Sequence, residues 1–192
     1  LIISLMVWAN FGCKSKQQEN KDQLANYVKD RLGQFKEVEL KYDISKLSSN
    51  EKKMLELMFE ASQIADEIFW LQTYGNKDDI LQNSNIDSSS KRLAKIFYGP
   101  YDRLNNNIPF IEGFSKKPEG ANFYPVDMTK EEFEKFEDTT KKSQYTILIR
   151  DSNKKLKTVF YHEAYKDKVE KIADLLNKAA DLSNDKALKK YL

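Results

Sequence analysis

Few side chains in this chain of 192 residues could carry covalent or metal chemistry, because it has one histidine and one cysteine. His162 and Glu163 begin the pattern HExxH, in which two histidines on one helix face bind zinc, but a lysine stands where the second histidine belongs. Catalytic zinc usually has three protein ligands, and a serine triad would need the same His162 without a GxSxG turn. The sequence therefore predicts no catalytic residue and no metal ligand. We interpret His162 and Glu163 as a polar pair where a strand gives way to a helix.

The single cysteine, Cys13, ends an apolar segment at the start of the chain. Residues 1–12 carry no charge and are too few to cross a bilayer as a helix, which takes about 20 residues. Their length fits the apolar core of a secretory signal. Gly12-Cys13 followed by polar residues resembles a bacterial lipoprotein signal, which implies a lipidated Cys13. The alternative is a buried N-terminal strand or helix in which Cys13 is an ordinary small side chain.

From this resemblance we expect residues 1–13 to be a lipoprotein-type signal and residues 14–22 to be a polar tether. The protein would then lie in the bacterial cell envelope, anchored by lipid at a periplasmic or outer surface. A mostly helical lobe is expected over residues 23–192. The last predicted helix is short and ends without a cap, so we expect the polypeptide to continue beyond Leu192.

The longest segment without a helical or strand period lies between residues 98 and 136, and it offers the best candidates for binding. Ordering about 30 residues of loop costs backbone entropy, so such loops in compact domains usually have a function. Arg103 either pairs with Asp102 and pins the backbone or binds a carboxylate through its planar guanidinium. Asn122 either caps nearby backbone or recognises an extended peptide. Tyr124 either packs the loop onto the helices or, with other loop aromatics, lines a groove.

The same loop carries four short motifs that together resemble a known family. They are GPYDRL (99–104), PFIEG (109–113), GANFYP (120–125) and DMTKEEF (127–133). They are similar to the N-terminal region of bacterial members of the dipeptidyl-peptidase III family of zinc metallopeptidases. The resemblance covers roughly residues 48–192 and is densest in the loop.

This resemblance implies a two-lobed peptidase in which a His-Glu-x-x-Gly-His signature and a second glutamate motif hold zinc, and which releases dipeptides from peptide N-termini. None of those ligands is present in this sequence. We therefore expect the N-terminal, non-catalytic portion of a lipid-anchored exopeptidase, with zinc in the full-length parent. The implied partners are the C-terminal catalytic lobe of the same polypeptide, a peptide substrate bound in part by Arg103, Asn122 and Tyr124, and a lipid membrane through Cys13. The alternative is a stand-alone lipoprotein that binds peptide or protein without catalysis.

Composition and periodicity indicate the elements that would position these residues. Apolar residues make up 40% of the chain, enough for a core. The 32 basic and 30 acidic residues nearly cancel and form no basic stripe, so nucleic acid is not an expected partner. Apolar spacing predicts helices over residues 21–34, 50–74, 77–82, 88–97, 130–138, 164–183 and 186–192.

Capping-box patterns mark two of these helix starts, Ser48 with Glu51 and Thr129 with Glu132. Alternating residues predict two strands, 145–150 and 156–161, joined by a turn. The predicted fold class is mainly α with a small antiparallel β-hairpin (α+β), forming one lobe of a larger two-lobed protein.

Overall fold

The computed structural model describes residues 16–192, and helices dominate it. The helices are α1 (Lys16–Leu32), α2 (Ser49–Thr73), α3 (Asp78–Leu81), α4 (Ser88–Phe97), α5 (Lys130–Lys135), α6 (Tyr161–Ala164), α7 (Lys166–Leu182) and α8 (Lys186–Tyr191). Two antiparallel hairpins pair β1 (Tyr101–Asp102) with β2 (Ile108–Pro109) and β3 (Thr146–Arg150) with β4 (Leu156–Phe160). The predicted fold class is confirmed, and the long loop adds a second, two-residue ladder that the sequence did not predict.

Helix α1 begins at Lys16, earlier than its predicted start at residue 21. Residues 16–22 of the predicted tether are helical, and the role of residues 14–22 as a tether stays a prediction. The predicted signal and Cys13 lie outside the described residues.

The early turns of α1 escape a search for periodicity because no apolar residue precedes Leu24 in them. Their Lys, Gln and Glu residues nevertheless have high helix propensity. Gln18 Nε2 also donates a hydrogen bond to Asp22 Oδ1, one turn further on, at 2.9 Å. None of the described helices is both long enough and apolar enough to cross a membrane.

Helices α2 and α7 pack against each other and form one half of the interior. Helix α2 begins with the predicted capping box, in which Glu51 N–H donates to Ser48 Oγ at 3.3 Å and Ser48 N–H donates to Glu51 Oε2 at 2.8 Å. Ala61 and Ile64 of α2 meet Leu175 of α7 in a buried cluster. This pair supplies the rigid support against which the loop lies.

A second buried cluster joins α1, α3, α4 and the long loop. Its members are Val28, Ile80, Leu93, Ala94, Phe97, Phe110 and Ile111. Phe110 comes from the loop, and full burial of such a side chain contributes about 2–3 kcal/mol. The loop is therefore part of the core of this half of the fold.

The buried carboxylate of Asp102 ties the loop to α1. Its Oδ2 accepts a hydrogen bond from Tyr27 Oη at 2.6 Å, and its Oδ1 accepts from Arg31 Nη2 at 3.1 Å and from Leu104 N–H at 3.0 Å. Burial alone would raise the pKa of Asp102, but these hydrogen bonds outweigh it and lower the pKa below its ordinary value. The predicted pairing of Asp102 with Arg103 is wrong, because Arg31 comes from a helix that is distant in sequence but adjacent in space.

We expect Asp102→Asn to destabilise the chain by about 3 kcal/mol at pH 7, because it leaves the charge of Arg31 without its buried partner. The lowered pKa means that the carboxylate's contribution is complete above its ordinary pKa of 3.8 and is lost as pH falls through its folded-state pKa. The variant should therefore lose less stability than the parent sequence on acidification below about pH 4. Urea unfolding followed by circular dichroism at several pH values measures both effects.

Asp30→Asn is the matched control, because Asp30 lies on the same helix and is exposed. We expect it to change the unfolding free energy by less than about 0.5 kcal/mol. Equal stability of the two variants would contradict the role assigned to Asp102.

The β3–β4 hairpin confirms the predicted strands, each shorter by one residue. Thr146 pairs with Phe160 and Arg150 with Leu156. Its more buried face carries Thr146, Leu148 and Leu156, whereas Tyr145 and Ile149 are exposed. The buried face of β3 is therefore the one that carries fewer apolar residues, because tertiary packing rather than the local pattern determines which face is buried.

Helix α5 has only half of its predicted capping box. Thr129 Oγ accepts from Glu132 N–H at 3.1 Å, but the Glu132 carboxylate binds the guanidinium of Arg150 in β3, with Nη2–Oε2 at 2.8 Å. A bidentate, charge-assisted contact is stronger than a neutral cap. Arg150 Nε also donates to Asp127 Oδ2 at 3.1 Å, so one side chain joins the loop, α5 and β3.

Candidate functional site

Aromatic contacts hold the long loop against α2, as the sequence predicted for most of its aromatic residues. The ring centroids of Tyr98 and Phe69 are 4.7 Å apart, and those of Phe114 and Tyr74 are 6.0 Å apart. Tyr98 Oη also donates to Asp66 Oδ1 at 2.5 Å, and this hydrogen bond is the main reason that the pKa of Tyr98 is raised. These contacts fix the side of the loop that faces α2, and the opposite side takes no part in them. We call this opposite side the free side.

A cavity of about 700 Å³ lies on the free side, between the loop and the segment that leads into β3. Its size is in the range of sites for small ligands. Its aromatic lining consists of Phe123, Tyr124 and Tyr161. Its charged lining consists of Lys116, Lys117, Glu119 and Lys142. Three cations against one carboxylate favour an anionic group such as a carboxylate in this space.

Tyr124 both packs the loop and lines the cavity, so the two alternatives for it are compatible. Its ring meets Phe133 edge-on, with centroids 6.1 Å apart. The position of its ring requires glycine at residue 120, where φ is 78° and a Cβ atom would overlap the Tyr124 ring. Gly120 is therefore a positioning residue for Tyr124.

Arg103 lies over an aromatic ring and forms no ion pair with any described carboxylate. Its guanidinium carbon is 5.6 Å from the centroid of Phe69, a cation–π contact. Lys117, which lines the cavity, has a lowered pKa because of burial and, secondarily, the positive charge of Arg103. Two neighbouring cations without a carboxylate partner form a site that an incoming carboxylate would stabilise.

The Asn122 side chain caps backbone, but that of a distant helix rather than the nearby loop backbone that the sequence suggested. Its Nδ2 donates to the carbonyl oxygen of Leu71 at 2.8 Å, one of the last carbonyls of α2, which lack a partner within the helix. The side chain thereby ties the loop to the C-terminal end of α2. Contact of Asn122 with a peptide stays a prediction.

His162 and Glu163 lie at the junction of β4 and α6, where the sequence placed them. The His162 ring stacks on Phe160, with centroids 5.6 Å apart and planes at 24°. Within residues 16–192, no group of three or more His, Cys, Asp and Glu side chains is placed to hold a metal ion.

The three predicted binding residues lie in the same loop, but the structure does not place them in the same cavity. Tyr124 lines the cavity, Arg103 stacks on Phe69 outside the cavity lining, and Asn122 donates to Leu71 of α2. Sequence reasoning missed Lys117 and Tyr161, because neither lies in a motif and only tertiary packing brings them to the same space.

We expect Gly120→Ala to move the Tyr124 ring and to destabilise the chain by about 2 kcal/mol, from backbone strain and overlap together. Gly113→Ala is the control, because Gly113 also has a positive φ, 88°, but an added Cβ meets nothing within 4 Å. It should show the backbone strain alone, about 1 kcal/mol. Thermal unfolding and the near-ultraviolet circular dichroism of the tyrosines measure the difference, and equal effects of both variants would contradict the positioning role.

The solved structures most relevant to this fold are two bacterial peptidases. Dipeptidyl-peptidase III from Caldithrix abyssi matches with a TM-score of 0.78 and 39% sequence identity, over 85% of this chain and 33% of that chain. The dipeptidyl-peptidase III from Corallococcus sp. strain EGB matches with a TM-score of 0.77 and 28% identity, over 87% of this chain and 33% of that chain. The resemblance seen in the loop motifs is confirmed, and the chain has the fold of about a third of these proteins.

Among curated proteins, Nudix hydrolase 3 of Arabidopsis thaliana is 23% identical over 240 aligned positions, which cover 93% of this chain and 31% of that protein. No family model matches the chain. The chain thus spans about a third of the length of each protein it matches.

Proposed function

We propose that this chain is the N-terminal, non-catalytic part of a zinc-dependent exopeptidase of the dipeptidyl-peptidase III type. The observation that carries the proposal is its agreement in both fold and sequence with two solved dipeptidyl-peptidases III. Since it spans a third of their length, the activity belongs to the longer polypeptide, and its partner is the catalytic lobe of that polypeptide.

Zinc in the parent would be held by residues outside residues 16–192, because the described side chains offer no metal-binding group. When bound there, zinc would supply Lewis-acid chemistry for peptide hydrolysis. The contribution of this chain is support for that lobe and a surface for the substrate.

The loop surface is proposed to border the peptide cleft. Arg103 and Lys117 supply positive charge that no described carboxylate neutralises, and Tyr124 supplies an aromatic wall. Together they suit the carboxylate of a short peptide, since a guanidinium binds a carboxylate through two parallel hydrogen bonds. Asn122 would hold the backbone of this surface in place through Leu71.

Attachment to a membrane in the bacterial cell envelope is proposed through a lipidated Cys13. The support is in the sequence alone, an uncharged apolar segment that ends at Gly12-Cys13 and is followed by polar residues. Because α1 begins at Lys16, a lipid on Cys13 would place the first helix close to the bilayer surface.

The decisive experiment is to sequence the reading frame on both sides of this segment and to assay the protein it encodes. We expect an upstream Met with basic residues, and a downstream extension of several hundred residues that carries HExxGH and a later acidic motif. The complete protein should release dipeptides from peptide N-termini, lose this activity with a chelator and regain it with zinc. The present chain should release none.

A stop codon shortly after Leu192 would contradict the peptidase proposal. The stand-alone binding protein would then become the better explanation. An upstream sequence without a signal would contradict lipidation of Cys13 while leaving the peptidase proposal intact.

In the complete enzyme we expect Arg103→Gln to raise KM for a short peptide about tenfold and to change kcat little, because a contact equal in ground and transition states affects KM alone. Lys95→Gln is the control, since Lys95 is an exposed cation on α4 that lines no described cavity. Steady-state kinetics of both variants measure the effect, and an unchanged KM for Arg103→Gln would remove Arg103 from the substrate surface.

A further inference from the structure

The segment from Glu37 to Ile44 has the sequence EVELKYDI, in which charged and apolar residues alternate over eight positions. This is the period of a β-strand with one face buried and one face in water. Four of its residues are charged and four are Val, Leu, Tyr or Ile. The pattern does not predict a helix, because in a helix these apolar residues would not form a single face.

In the part of the chain that the structure describes, no strand pairs with this segment. Val38, Leu40, Tyr42 and Ile44 are 66%, 83%, 65% and 43% exposed. Every residue from Lys36 to Lys46 is exposed. Within residues 16–192, no backbone N–H from Lys36 to Ile44 donates a hydrogen bond to another backbone group. A segment with strand-like alternation, exposed apolar side chains and backbone N–H groups that donate to no described backbone group can pair with another strand.

Both ends of the segment are held by the folded part of the chain. Phe35 packs edge-on against Phe97, with centroids 5.7 Å apart, just before it. At its end, Leu47 N–H donates to the carbonyl of Ile44 at 3.1 Å in a turn that leads to α2. Glu37 forms an ion pair with Arg92 of α4 at 3.3 Å. The segment is therefore presented next to the domain rather than on a free tail.

We propose that Glu37–Ile44 is a docking strand for a β-strand supplied by the remainder of the same polypeptide, beyond Leu192. The inference rests on the proposed function, since it requires the longer protein. The solved relatives are about three times as long as this chain, so two thirds of such a polypeptide remains to cover this surface. Docking would satisfy the backbone groups through main-chain hydrogen bonds and would bury the four apolar side chains.

The charges of the segment favour a different strand over a second copy of itself. Its polar face carries Glu37, Glu39 and Asp43 against one cation, Lys41, so a partner strand with basic side chains fits best. Two copies paired antiparallel about Leu40 would place Glu37 opposite Asp43 and Glu39 opposite Lys41. The second contact is favourable, but both copies carry the same excess of negative charge, which disfavours self-pairing.

Amide hydrogen exchange measured by NMR tests the proposal in two proteins, the present chain and the complete polypeptide. In the present chain the amides of residues 37–44 should exchange close to the rate of unstructured peptide. In the complete protein these amides should exchange more slowly by a factor of roughly 100 or more. Protection of alternate amides indicates a partner on one edge, and protection of all of them indicates partners on both.

Leu40→Asp provides the matching perturbation. In the present chain it should leave the melting temperature unchanged, because Leu40 projects into water. In the complete protein it should lower the melting temperature and speed exchange of the 37–44 amides about tenfold or more. Val126→Asp is the control, since Val126 is also 83% exposed and lies outside the segment, and it should leave those amides protected.

Three results would overturn the docking strand while leaving the peptidase proposal intact. They are unprotected 37–44 amides in an active complete protein, protection in the present chain that depends on its concentration, and protection in the present chain that is lost when residues 1–13 are removed. The last two would identify a second copy or the chain's own N-terminal segment as the occupant. A reading frame that ends near Leu192 would instead overturn both proposals together.

Discussion

The arrangement of this chain depends most on one buried carboxylate. Asp102 lies in the loop, while two of its partners, Tyr27 and Arg31, lie on α1, some seventy residues earlier in the chain. A buried charge is stable only when it is paired and hydrogen-bonded, so these contacts specify a single position of the loop relative to the helix. Phe110 then enters the apolar cluster close to this anchor. The order of the loop thus comes from a polar and an apolar contact that support each other.

This constraint explains how a long irregular loop can offer a defined surface. One side of the loop is committed to the core through Asp102, Phe110 and the ring contacts with α2. The backbone on the other side then has little freedom, and Lys117 lies beside the cavity without an ion pair to a described carboxylate. A site positioned in this way keeps its charge available for a ligand, because side chains already neutralised inside the fold would bind an anion weakly.

The outer surface of the chain is also consistent with a place in a larger assembly. The apolar residues of the segment 37–44 are exposed, and so is Ile149 on the outer face of the β3–β4 hairpin. Two-stranded hairpins are marginal by themselves, and a strand beside them is the usual remedy. The chain spans about a third of the length of the proteins it matches, and the proposed docking strand would cover one of these exposed surfaces.

Elements whose signals are local could be predicted from the sequence. The helix starts at Ser48 and Thr129 and the β3–β4 hairpin follow from caps, turns and alternation between neighbouring residues. The loop motifs also indicated the resemblance that the solved structures confirm. The pairing of Asp102 with Arg31 rather than Arg103, the contact of Glu132 with Arg150 and the position of Lys117 at the cavity could not be predicted from the sequence. Each depends on residues that are distant in sequence, and the burial that strengthens such contacts exists only after the chain has folded.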